Sequence, residues 1–279
     1  MPPFHLHPLV LVVTVLVACV HVRAVHERAR RWRALWGWLV WALVVLWPIG
    51  DLAASVSLSV ATLQRLVLML GVAPLLLAST STQQLARWTR APVVDGLTRT
   101  MAHPAVAMVV VTIVGTATLS TPVVDAGATS SLTRVFTLVV VVGCGIVLWI
   151  PALGVMPGAK RLSPVGRAAF IFVASLVVTS LSFVWIFARH SLYPSLHDQQ
   201  TLLHMTPLLD QQLAGFVAKL GSYLPMWAVA FTIFSRADES GVDVEESPLH
   251  WADVERQLLR VDRQRARVLR RRRSQMDGS

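Results

Sequence analysis

The chain has 279 residues, of which 54% are hydrophobic and only 14% charged, with a mean hydropathy of +0.60 and a net charge of +10. That is too apolar for a soluble domain of ordinary make-up. The sequence also lacks the alternating strands of about ten residues that build an outer-membrane barrel, so the composition points to a helical membrane protein.

Seven apolar runs follow one another, at about 8–25, 35–52, 55–78, 102–121, 134–156, 167–188 and 211–234. Each is about 17–25 residues long, enough for a helix to cross a hydrocarbon core of roughly 30 Å. Helices are required there because lipid offers backbone groups no partner. The first run follows "MPPFHLHP", which carries no Arg or Lys, and its basic cluster comes after it. That order reads as a signal anchor with the N-terminus outside rather than as a cleaved signal peptide. Cys19 and Cys144 fall inside the first and fifth runs. They read as small buried hydrophobes, and a disulfide or thiolate site would need them adjacent.

Arg and Lys set the orientation. "HVRAVHERARRWR" after the first span, "QQLARWTRAPVVDGLTR" after the third, "PGAKRLSPVGR" after the fifth and the tail after the seventh hold 21 of the 25 basic residues. These segments alternate as seven spans demand, which places the N-terminus outside and the C-terminus in the cytoplasm. The expected fold is therefore an all-α integral membrane protein, a bundle of seven transmembrane helices. Residues 1–235 form the membrane domain, and residues 236–279 form a cytoplasmic acidic linker and basic helical tail. In that tail Ser247 and Pro248 carry a helix-start signal, and the basic face suits the anionic inner leaflet. The positive charge needs no nucleic acid to explain it.

The longest outer loop is "ARHSLYPSLHDQQTLLHMTPLLDQQ". Its His197, His204 and Met205, with His5 and His7 at the N-terminus, are imidazole and thioether donors of the kind that suit copper. The alternative is that they are loop histidines at the level of the lipid headgroups. Polar residues inside spans are costly and so more informative. Gln64 and Arg65 lie in the third span and Lys219 in the seventh, at similar depths. They read either as a cationic cavity opening outward or as long side chains that snorkel or pair for structure. In the seventh span Gln211, Ala214, Gly215, Ala218 and Ser222 recur at three- and four-residue steps, the pattern of a close-packed helix face. Thr206 and Pro207 start that helix and put Asp210 in its first turn, where an acid is favoured.

"VAPLLLAS" closing the third span, "HP" opening the fourth, "LWIPAL" late in the fifth and "DQQLAG" opening the seventh resemble the CtaG-type cytochrome c oxidase assembly proteins of bacteria. The resemblance runs from about Leu6 to Arg236, with Asp210, Gln211, Gln212 and Gly215 as its most specific residues. It implies a multi-pass protein of the bacterial plasma membrane that helps assemble the respiratory oxidase. The implied partners are oxidase subunits and no catalytic turnover is implied; no bound cofactor is expected, with copper as the alternative. The sequence departs from the family where metal ligands are expected. The third span reads "SVATLQRLVLML", the end of the fourth "LSTP" and the start of the fifth "TSSLTR", all without histidine. The scaffold thus carries over and the ligands do not. The interior is expected to be ion-paired or anion-binding, with Arg65 the partner of Asp210.

The leading reading is an assembly or accessory factor of cytochrome c oxidase, linked to copper-centre maturation and acting by client binding. The alternatives are a small permease or an anion- or lipid-binding protein using Arg65 and Lys219, and a structural subunit of an oxidase supercomplex.

Overall fold

The computed structural model describes residues 8–46, 50, 53, 57–156, 161–193 and 205–239. The chain divides into two units, residues 1–234 and 235–279, and the described helices build the first of them. The tail helix expected after Ser247 lies outside the described residues, as do His5, His7, His197 and His204.

Every described regular element is a helix. In chain order they are α1 (Pro8–Ala24), α2 (Arg28–Val45), α3 (Leu58–Ser79), α4 (Thr82–Trp88), α5 (Pro92–Met101), α6 (Pro104–Ala117), α7 (Thr121–Thr129), α8 (Ser131–Leu153), α9 (Pro164–Ile186) and α10 (Pro207–Glu239). Four of these, α3, α8, α9 and α10, are long and apolar enough to cross a membrane. The pair α5 and α6 makes a fifth if it counts as one span, though it bends by 91° at its break. The first two of the seven expected spans correspond to α1, which is apolar but short, and α2, which carries Arg28, Arg30, Arg31 and Arg33 in its first two turns. The protein is therefore all-helical and multi-pass.

Three stretches expected to be loops are helices. Ser81 opens α4 with a capping box, its hydroxyl on the Gln84 N–H and the Gln84 side chain on the Ser81 N–H. Pro92 and Pro122 sit in the first turns of α5 and α7, where the missing proline N–H costs nothing.

The core lies among α2, α3, α6, α8 and α9, with Leu68, Val72, Val111, Leu148 and Ile171 all sealed from outside. Helix α3 has a π-helical stretch, Val67–Val72, just before Pro74. In π register Pro74 would donate to the Met69 carbonyl, but proline has no N–H. The indole N–H of Trp149 on α8 takes that place, 3.1 Å from the Met69 oxygen. Gly145 lets α8 approach closely there. A Cβ at this position would sit 2.6 Å from the Ala73 Cβ and 2.8 Å from the Met69 oxygen.

The two cysteines are free. Cys144 is buried as expected, whereas Cys19 faces outward from α1, because that helix packs against α2 alone in strength and leaves most of its surface exposed. Gly145→Ala is expected to destabilise the protein by about 1–3 kcal/mol through overpacking against α3. Gly143→Ala, with nothing within 4 Å of its Cβ, is expected to change stability by less than about 0.5 kcal/mol. Denaturation in detergent micelles reads both.

Candidate functional site

The residues of interest gather at the end of the bundle where α3, α8 and α10 begin. Thr206 starts α10, its hydroxyl accepting from the Leu209 N–H at 3.3 Å. Asp210 follows in the first turn and is only 3% exposed. Its carboxylate does not meet Arg65. One oxygen accepts from the Leu58 N–H at 2.6 Å, and the other accepts from the hydroxyls of Ser57 at 2.7 Å and Ser59 at 2.5 Å. Asp210 therefore caps the N-terminus of α3 from across the bundle, an anion at the positive end of a helix dipole.

Arg65 is occupied elsewhere. Its guanidinium donates to the Thr118 hydroxyl and the Thr118 carbonyl, both at 3.0 Å. Thr118 closes α6, so Arg65 places a cation on the negative end of that helix. The expected ion pair with Asp210 is absent because each group already serves a helix end.

Lys219 repeats the device on α9. That helix breaks after Val178, and the ammonium reaches the Thr179 hydroxyl at 3.2 Å and the carbonyls of Leu176 and Thr179, both at 3.4 Å. The Phe183 ring lies 4.1 Å and the Tyr223 ring 4.9 Å from it, so aromatic faces complete its surroundings. Gln64 donates to the Val44 carbonyl at the end of α2, at 2.8 Å. The three polar residues that the sequence places inside spans, Gln64, Arg65 and Lys219, thus act as remote helix caps, as Asp210 does from the start of α10.

Gln211, 1% exposed, accepts the Leu192 N–H at 2.7 Å, while Gln212 donates to the Ala188 carbonyl at 3.2 Å. The triplet ties the start of α10 to the start of α3 on one side and to the segment after α9 on the other. Gly215 completes it. A Cβ there would meet the Ser182 carbonyl at 2.8 Å and Ile186 at 2.7 Å, so only glycine lets α10 lie this close to α9. Tyr193, which no motif in the sequence singles out, packs edge-on to Trp185 and donates to the Leu119 carbonyl at 2.8 Å. Burial pushes its hydroxyl up to about 12, so it remains a donor at neutral pH.

Between α3, α7 and α8 lies a small cavity of about 80 Å³, open at this end. Its polar lining is Ser57, Thr62, Gln64, Arg65, Arg134 and Thr137. A second space of about 90 Å³ lies on the other side of Arg65, walled by Met69, Cys144, Thr179 and Trp185. Lys219 lines neither, so the two cations do not form one cationic cavity. The charge that shares the open cavity with Arg65 is Arg134.

Among the described residues no three His, Cys, Asp or Glu side chains come together. Guanidinium, amide and hydroxyl groups dominate the open cavity and do not suit copper, and the two sulfurs of Met69 and Cys144 have no imidazole beside them. Of the residues considered for a metal, only Met205 is described, and it is half-buried just before α10.

One serine meets a histidine. Ser79 Oγ lies 3.2 Å from His21 Nε2, but His21 Nδ1 accepts the Trp38 indole N–H at 3.1 Å. The neutral ring then carries its hydrogen on Nε2 and donates to Ser79, the wrong direction for a general base. This cluster fastens α1, α2 and α3 together.

Over residues 13–239 the sequence matches the profile described as cytochrome c oxidase caa3 assembly factor, Caa3_CtaG. The chain belongs to that family. No curated protein and no solved structure matches it. By its description the family's role is assembly of the oxidase.

Asp210→Ala leaves the buried donors at the start of α3 unpaired and is expected to cost about 3 kcal/mol. Arg65→Ala is expected to act independently, and the double variant should equal the sum of the singles within about 0.5 kcal/mol. A coupling above about 1 kcal/mol in that cycle would mean that the two groups do pair.

Proposed function

We propose that this protein is a membrane-embedded assembly factor for the respiratory cytochrome c oxidase of a bacterial plasma membrane, acting by binding an oxidase subunit. The family match over residues 13–239 carries this reading. We infer a seven-span topology with the N-terminus outside, in which α1 and α2 are the first two spans and α6 supplies the fourth. Its support is that Arg30 and Arg33 contact the carbonyls of Thr80 and Ala78 at the far end of α3, on the side where the sequence gathers its other basic residues.

In this topology the cavity beside Arg65 and Arg134 opens outward. It offers a client carboxylate or carbonyl two guanidinium groups and several hydroxyls on a frame fixed by the Asp210 and Gln212 contacts. Any part in copper-centre maturation falls to the outer histidines, His5, His7, His197 and His204, with Met205, rather than to the interior. A permease using Arg65 and Lys219 loses support, since the two do not face one space.

Deleting the gene is expected to lower the spectrally visible caa3-type oxidase several-fold, with recovery on re-expression of the wild type. Unchanged oxidase content would sink the proposal. A protein found in equal amount with the purified mature oxidase would make it a structural subunit instead. For the cavity, Arg134→Gln is expected to keep the protein abundant while lowering oxidase content. Fusions that report compartment should place residue 90 inside and residue 189 outside.

A further inference from the structure

The segment Thr82–Met101, expected to be a cytoplasmic loop, is a pair of helices with a property the assembly role does not use. Helix α6 packs along α8 and α9, both long enough to span, so it runs with the bundle. Helix α5 meets it at 91° and must therefore lie across the bundle axis, in the plane of the membrane. Its position along the axis is that of the membrane boundary, because α3 ends just before it at Ser79.

None of the residues of α5 is buried. Val93 is 80% and Leu97 56% exposed, although both are large and apolar. With Val94 and Met101 they occupy one face at helical spacing. The opposite face carries Asp95 and Arg99, joined by an ion pair at 2.8 Å. That pair leaves Arg87 and Arg90 as the exposed charges of the segment, and no hydrogen bond or ion pair holds either of them among the described residues. Trp88, between them, is exposed too. An amphipathic helix parallel to the bilayer, preceded in the chain by an exposed tryptophan and two exposed arginines, is built for an interface. The apolar face beds at the acyl boundary, and guanidinium groups reach anionic headgroups, each worth about 1 kcal/mol near such a surface.

We propose that α4 and α5 form an in-plane lipid-binding element that sets Val93, Val94 and Leu97 into the leaflet on the arginine-rich side and holds anionic phospholipid through Arg87 and Arg90. Lipid is favoured over a protein partner because the face lies at the bilayer edge, perpendicular to a helix that crosses it.

The full chain, carrying Cys19→Ser and Cys144→Ala, is placed in nanodiscs of phosphatidylcholine alone or with phosphatidylglycerol. A polarity-sensitive fluorophore is attached through Val93→Cys or, on the other face, Arg99→Cys, which is exposed. The Val93 probe is expected to shift to the blue and to be quenched several-fold more by nitroxide on the acyl chains than the Arg99 probe. The difference should grow with phosphatidylglycerol and lose that growth in Arg87→Gln/Arg90→Gln. Equal, water-like signals from both probes in both lipids overturn the proposal. So does a Val93 signal that turns apolar only when an oxidase subunit is added, which would make the face a protein docking surface. A Val93 signal indifferent to phosphatidylglycerol and to the arginine substitutions overturns the anionic-lipid part.

Discussion

A helix end buried in hydrocarbon is the constraint on which this structure turns. The first N–H groups and last carbonyls of a helix have no partner in their own helix, and within a bilayer no water replaces it. This chain meets the problem from a distance. Asp210 reaches across from α10 to the start of α3, Arg65 from α3 to the end of α6, Lys219 from α10 to the break in α9, and Gln64 from α3 to the end of α2. The signs follow the dipoles: the acid sits at an N-terminus and both bases at C-termini. Each link also crosses between helices that are distant in sequence, so the caps double as ties.

Helix α3 carries more of these links than any other described element. Its start is closed by Asp210, its π stretch by Trp149, and its end by Arg30 and Arg33. It also supplies Gln64 and Arg65 to its neighbours. A helix so held is a fixed wall, and it is the wall that the open cavity shares with α7 and α8. Rigid placement of Arg65 suits the proposed client site, since a guanidinium already ordered loses less entropy on contact.

Much of this is legible in the amino-acid sequence alone. Runs of apolar residues longer than a buried soluble helix specify a multi-pass helical protein, and "DQQLAG" points to the family on its own. Gly215 is readable as a packing position from the three- and four-residue steps around it. The partner of Asp210 is not readable. Arg65 and Asp210 have opposite signs and suitable depths, and those are the features a sequence offers. Which helix end lies beside each group depends on helix order, which no spacing encodes. The short helices escape a sequence reading for another reason. Ser81 with Gln84, Pro92 and Pro122 are start signals, but they stand in polar stretches between spans, where a loop is the default reading.

The same capping logic bears on the missing histidines. A metal ligand inside a membrane must keep a lone pair free for the metal, and a side chain spent on a carbonyl or an N–H cannot do so. Here the third-span residues nearest the open cavity are an amide and a guanidinium, and both are spent on helix ends. Restoring an imidazole at Arg65 would open the end of α6 while providing one ligand of the several a copper ion needs. The interior thus holds a chemistry from which a metal site is several coordinated changes away. What remains for the assembly role is what the structure holds firmly: shape, two guanidinium groups at a cavity mouth and a frame tied at its helix ends.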